Sequence, residues 1–224
     1  WRRIVENYKY LYWIKMNIDN LNLALLKLEN ALMTYKKDLN YAGKIRVVFL
    51  GSQSILFFHD NIVSNAVIAS YEIDIILNIE PFNKKILTSL SNNINFAYGY
   101  QSDFHEKEFF FIDDMTNEEN QYSYIEKFPM NWERRAITVL NKNDLEFLCL
   151  DKHDVCVLKL IANREKDIDY VCALIQGSLI NKKKLLKSLN DISKNFNKEK
   201  LQSIKNKIKY FYSLPQINIL NKKN

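Results

Sequence analysis

A two-part unit over residues 48–79 limits this chain's folding options more than any other feature. The apolar, β-branched run Arg46–Leu50 breaks at Gly51-Ser52. Gln53–Phe58 follows, closed by His59-Asp60-Asn61, and Tyr71–Leu77 then alternates polar and apolar residues. The pattern predicts a buried strand, a turn, a short helix and a strand with one polar face. Side chains two apart on a strand point the same way, so Glu72 and Asp74 project side by side. Adjacent carboxylates repel unless a cation lies between them. Magnesium or manganese accepts such oxygen ligands and shares them with substrate phosphates. The Gly51-Ser52 turn offers unhindered N–H groups and a hydroxyl to a triphosphate, and Ser70 flanks the carboxylates. A Gly-Ser turn after a strand is common, and an acidic pair on a strand is often just a solvated face. Together, bridged by a helix, they point to phosphoryl-transfer chemistry.

The rest of the chain organises around this unit. Ile4, Tyr8, Leu11 and Tyr12 fit a helix over residues 2–16. After a break at Asn17–Asn20, Leu21, Ala24, Leu25, Leu28, Ala31, Leu32 and Tyr35 form a second amphipathic stripe, ending before Gly43. Pro81 is expected to open a helix running to about Leu90. Residues 94–114 suggest two strands, and residues 115–134 a loop. Ala136–Leu140 and Leu145–Cys149 fit a strand pair around an Asn141–Asp144 turn. From Asp151 the pattern is helical: Asp151 caps a helix through Ile161, and Asp167 caps the next. Gly177 stops that helix, and Leu185–Ile192 and Leu201–Phe211 mark two more before Pro215. The expected class is α/β (α+β), a mixed sheet flanked by helices with a C-terminal helical bundle. The segments divide as 1–42, 43–150 and 151–224.

The net charge is +6, and the lysines concentrate in the C-terminal third, from Lys182-Lys183-Lys184 to Lys222-Lys223. Solvated helix faces and an RNA-binding surface both account for that excess. Cys149, Cys156 and Cys172 lie in apolar runs without metal-ligand spacing, which implies packing in a reducing compartment. No apolar run is long enough for a membrane span, and the first residues do not read as a signal peptide, so a cytoplasmic location without membrane contact is expected.

Strand, Gly-Ser turn, helix and then an acidic pair on a strand resembles the signature of the polymerase-β-like nucleotidyltransferases. The stretch from Cys149 through Lys159, Arg164 and Asp167 to Tyr170 is similar to the lysine…arginine–aspartate segment of bacterial AbiEii-like nucleotidyltransferases of toxin–antitoxin and phage-defence loci. Residues 51–56 and 70–75, with 102–105 and 128–135, look closer still to a bacterial nucleotidyltransferase-like family of the same circle. The resemblance spans roughly residues 46–190 and implies a nucleotidyltransferase-type sheet. It places magnesium or manganese on Glu72 and Asp74, with Glu72 standing where aspartate is usual. It matches Lys159 to a helix lysine that contacts nucleotide phosphates, Arg164 to a second basic contact, and Asp167 to a late acidic residue, catalytic or structural. Physics leaves alternatives open: Lys159 can simply snorkel from an apolar helix, and Arg164 and Asp167 can form a helix-cap ion pair.

The other candidates are plainer. His59, His105 and His153 are scattered, and packing accounts best for His105. Asp113 ends a strand; the superfamily resemblance allows a third carboxylate on such a strand, but turn chemistry is the preferred reading. Trp132, beside Arg134 and Arg135, packs a loop or stacks on a base. Two functions follow. The first is an enzyme moving a nucleoside monophosphate from an NTP to an acceptor hydroxyl, on a tRNA 3′ end or a protein, as a toxin or defence component with a cognate antitoxin or partner subunit. The second is a catalytically degenerate antitoxin, regulator or nucleic-acid-binding module on the same fold. An enzyme needs Glu72, Asp74 and Lys159 to converge on one open site.

Overall fold

The computed structural model describes residues 16–62, 64–68, 70–116, 128–192 and 196–220, so the helix expected over residues 2–16 lies outside the described residues except for Met16. Helix α1, Ile18–Asp38, starts where Asn17 and Asn20 exchange side-chain and backbone hydrogen bonds as a capping box. Its stripe Leu21, Ala24, Leu28 and Leu32 is buried. Strand β1, Lys44–Phe49, leads through Gly51-Ser52 into a 3-10 helix, Gln53–Phe57. A short helix α2, Asn65–Ile68, precedes β2, Glu72–Glu80. Then come α3, Lys84–Tyr98, α4, Asp103–Glu108, and β3, Phe111–Asp114. A 3-10 turn at Trp132–Arg134 leads to the hairpin β4, Ile137–Lys142, and β5, Leu145–Cys149. Four helices finish the chain: α5, Lys152–Ala162; α6, Glu165–Gln176; α7, Lys182–Ile192; and α8, Lys198–Phe211.

The five strands form one mixed sheet in the order β3-β2-β1-β5-β4. β1 runs antiparallel to β2 and parallel to β5, and β2 runs parallel to β3. α3 packs on β2 and β3, while α5 packs on α6 and α7. A single hydrophobic cluster runs from Met16 to Ile219 and takes in the sheet and the helices on both its flanks. This is the mixed, helix-flanked α/β architecture expected for a nucleotidyltransferase-like sheet. Asn143 and Asp144 both take positive φ, 52° and 57°, the twist a tight β4–β5 hairpin requires.

Several expectations need correction. Pro81 does not open a helix. Asn83 caps α3, accepting a hydrogen bond from the Ile86 amide at 3.2 Å, while the Pro81 carbonyl accepts one from the Tyr41 hydroxyl. α3 overruns Leu90 because Leu87, Leu90 and Ile94 continue one buried face to Tyr98. Residues 94–114 therefore hold the end of a helix, a second helix capped by Ser102 and one strand, not two strands. Asp167 does not cap α6. Arg164 holds the cap position, and Asp167 sits one turn in with its side chain fully buried. Of the loop expected over residues 115–134, residues 117–127 lie outside the description.

Candidate metal and nucleotide site

The carboxylates meet because of strand register. Asp74 on β2 is paired with Asp113 on β3, and Glu72 with Phe111. In a parallel pair, register partners share a face, so Glu72, Asp74 and Asp113 project together. Each offers an oxygen, and those oxygens lie within 4.8 Å of one another. Asp113 is thus part of the acidic cluster, and its assignment to turn chemistry is overturned. The turn at the end of β3 uses Asp114 instead, whose buried carboxylate accepts the Thr116 amide at 2.9 Å.

The Gly51 turn fits against this cluster. Gly51 has φ of +80°, which side-chain-bearing residues rarely adopt, and a methyl there would collide with the Asp74 carboxylate. The Leu50 amide donates to the Asp74 carbonyl at 3.0 Å, locking the end of β1 to β2. Ser52 starts the 3-10 helix without a side-chain capping bond, and its carbonyl accepts the Tyr170 hydroxyl at 3.2 Å. The Ser70 carbonyl accepts from the Gln53 side-chain amide at 2.8 Å, which fixes the approach to β2.

Electrostatics mark Asp74 as the strained member. Burial first, then the charges of Glu72 and Asp113, push its pKa up to about 7, against the pull of Lys159 and Lys166. Burial and the Glu72 charge also raise Asp113. Lys166 lies 3.7 Å from Glu72 with its side chain 66% exposed, so it offsets little of the crowding. Three clustered oxygen donors, one of them with its pKa pushed up to about 7 by burial and then by its acidic neighbours, form a donor set that a divalent cation would relieve.

Lys159, Arg164 and Asp167 form a neighbouring group. The Lys159 ammonium donates to Asp167 at 2.9 Å and lies 4.7 Å from the Tyr170 ring centroid. Arg164 donates to both Asp167 oxygens, at 2.6 and 3.3 Å. Burial alone would raise the Asp167 pKa, but the hydrogen bonds from Arg164 and Lys159 outweigh it and hold the group below its ordinary value. Asp167 also leads the causes that raise Arg164, with smaller contributions from Asp74 and Glu72. The group thus borders the acidic cluster electrically, while its own hydrogen bonds run among its members.

The remaining candidates pack. Trp132 is buried edge-on against Phe128, centroids 5.2 Å apart, and Arg135 bridges Asp154 and Asp191. His153 accepts the Asn181 amide on Nε2, so Nδ1 carries the proton given to Asp151 at 2.8 Å. His59 meets Lys152. His105 accepts the Gln101 amide and packs on rings. All three cysteines are free, and burial pushes the Cys149 and Cys156 thiols up. Residues 182–211 carry ten lysines against Asp191 and Glu199, a net +8, so the rest of the +6 chain sums to −2. Lys182, Lys205 and Lys209 line a groove between α7 and α8. Among the described residues, no helix is long and apolar enough to cross a membrane.

A family model described as a nucleotidyltransferase of unknown function (DUF6036) matches residues 23–215. The chain belongs to this family. Neither the curated proteins nor the solved structures contain a match. The DUF6036 match takes in the whole sheet, the Gly51 turn, the three carboxylates and the Lys159–Asp167 group.

Proposed function

We propose that this DUF6036 protein is an enzyme that moves a nucleoside monophosphate from an NTP to an acceptor hydroxyl. The observation that carries this reading is the cluster of Glu72, Asp74 and Asp113 oxygens within 4.8 Å, set against a glycine turn. In the reaction, the bond from the α-phosphorus to its bridging oxygen breaks, the acceptor oxygen bonds to that phosphorus, and pyrophosphate leaves. Glu72, Asp74 and Asp113 would hold magnesium or manganese, which neutralises charge on the transferring group. The Gly51-Ser52 turn presents N–H groups and the Ser52 hydroxyl to the triphosphate, with Ser70 beside it. Arg164 and Lys166, both well exposed, supply positive charge along the phosphate path, and Lys159 adds charge behind them. Asp113, its basicity raised by burial and by Glu72, receives the proton of the acceptor hydroxyl. Asp167 positions Lys159 and Arg164.

The acceptor is a tRNA 3′ end or a protein, and the setting is a bacterial toxin or defence system of the AbiEii-like kind, cytoplasmic, with a cognate antitoxin or partner subunit. Incubating the chain with each α-labelled NTP, total tRNA and cell lysate tests this directly. Label in RNA or protein that depends on a divalent metal and on Asp74 is expected, and no labelling with any NTP would sink the proposal.

A second reading draws on Lys159, whose ammonium is already committed to Asp167. On it the fold serves as a non-catalytic antitoxin, regulator or nucleic-acid-binding module. That reading requires calorimetry to find no magnesium-dependent binding of any NTP.

A further inference from the structure

A group of rings lies along the β3 edge of the carboxylates and has no part in the chemistry above. Phe111 is the register partner of Glu72, so its ring shares a sheet face with Glu72, Asp74 and Asp113. Tyr71, Tyr100 and His105 gather on it, with centroids 5.9, 5.5 and 5.2 Å from the Phe111 ring. Tyr100 and His105 lie 5.1 Å apart at 37°, closer to stacked than to edge-on. Phe111 is buried at the base, whereas Tyr71 and Tyr100 are 50% and 59% exposed. The support is fixed, because His105 accepts the Gln101 amide at 3.0 Å and its helix is capped by Ser102.

Large rings contribute most when their surface is covered, so two half-exposed tyrosines beside a reactive site form a surface that a flat partner would complete. The two flanks of the carboxylates differ. Gly51-Ser52 lies at the end of β1, and Arg164 and Lys166 belong to the helical side, which suits a triphosphate. Asp113 and Phe111 belong to β3, the strand at the sheet edge on the side of β2 away from β1, so the rings flank the carboxylates opposite the Gly51-Ser52 turn.

We propose that Tyr71 and Tyr100, backed by Phe111 and His105, are a stacking platform for the nucleobase next to the acceptor hydroxyl. The acceptor is then the 3′ end of a nucleic-acid strand and not a protein side chain. The proposal rests on the nucleotidyl-transfer reading for the meaning of the hydroxyl. Base–aromatic stacking tolerates any sequence, which suits a site that must grip a strand end and leave its sugar free.

The test is fluorescence anisotropy with the full chain and a 5′-fluorescein-labelled, mixed-sequence oligoribonucleotide, without NTP. Changing Tyr71→Ala and Tyr100→Ala together should weaken binding about tenfold or more. The Tyr71→Phe, Tyr100→Phe pair keeps the rings and should bind like the parent. An oligonucleotide abasic at its 3′ terminal residue should lose a similar factor with the parent and little more with the alanine pair. Equal binding by parent and alanine pair would overturn the platform, as would a phenylalanine pair as weak as the alanine pair. If the alanine pair also loses magnesium–ATP affinity in calorimetry, the rings serve the NTP and the acceptor assignment falls. Free AMP binding as tightly as the oligonucleotide would overturn the strand-end assignment. A chain that grips the oligonucleotide through these rings but transfers no label would sink the transferase reading and leave the platform standing.

Discussion

Two shielded aspartates, Asp74 on β2 and Asp167 on α6, both feel the charge of Lys159, yet their acidities move in opposite directions. Asp167 has its counter-charge built in, from Lys159 at 2.9 Å and Arg164 at 2.6 Å, and is held below the usual carboxylate range. Asp74 is pushed up to about 7, first by burial and then by the charges of Glu72 and Asp113. Burial raises both; at Asp74 the neighbouring carboxylates add to it, whereas at Asp167 the hydrogen bonds and charges of Arg164 and Lys159 outweigh it. The protein has satisfied one carboxylate internally and left the other to be completed from outside.

If the contrast is right, each aspartate should fail differently. Asp74→Ala should drop label transfer from α-labelled NTP about a thousandfold while the far-ultraviolet circular dichroism stays that of the parent. Unchanged transfer would remove Asp74 from the site. Asp167→Ala should act on the fold, because it strands the Lys159 ammonium in a nearly closed environment. The expected loss is about 3 kcal/mol in urea unfolding, at the low end for breaking a buried pair because the Arg164 partner is largely exposed. A variant of parental stability would show that Lys159 finds another partner.

Acidity sharpens the comparison. The folded state binds the Asp74 proton more tightly than the unfolded chain does, so this contribution is complete below pH 3.8 and lost as pH rises through about 7. For Asp167 the sign reverses, and its contribution is present above pH 3.8 and lost as pH falls through its lowered folded value. In EDTA, the chain should lose about 1.4 kcal/mol or more from the Asp74 effect between pH 5 and 8. Magnesium should shrink that loss, and Asp74→Asn should flatten it; parallel melting curves for parent and Asn variant would break the link. The smallest effect is expected at the turn. Gly51→Ala should cost about 1 kcal/mol from its positive φ and weaken magnesium binding by displacing Asp74, as calorimetry would record.

Much of this was readable from local pattern. The helical stripes of α1 and α5 to α8, the β-branched run of β1 and the alternation of β2 all reflect periodicity, and so does the pairing of Glu72 with Asp74. Asp113 was harder to place, because β3 is four residues long and its Asp-Asp end looks like a turn signal. Only the parallel register with β2 sets it beside Asp74, and register is a tertiary fact. The Lys159–Asp167 bond spans two helices and a break, so neither helix pattern contains it. Residues 94–109 misled because α3 carries no buried residue beyond Ile94, so its last turn looked like strand, although Gly99 and Ser102 mark where one helix ends and the next begins.

The lysine-rich pair α7 and α8 concentrates the basic charge of the chain in one stretch of the sequence and leaves the remainder close to neutral. With +8 over residues 182–211 and −2 over everything else, its pI near 9.0 is an average that describes neither part. A cation-exchange resin or a mica surface would capture it by that hairpin, giving every adsorbed molecule the same orientation. Its retention would therefore track changes to those few lysines far more steeply than equal changes of charge elsewhere.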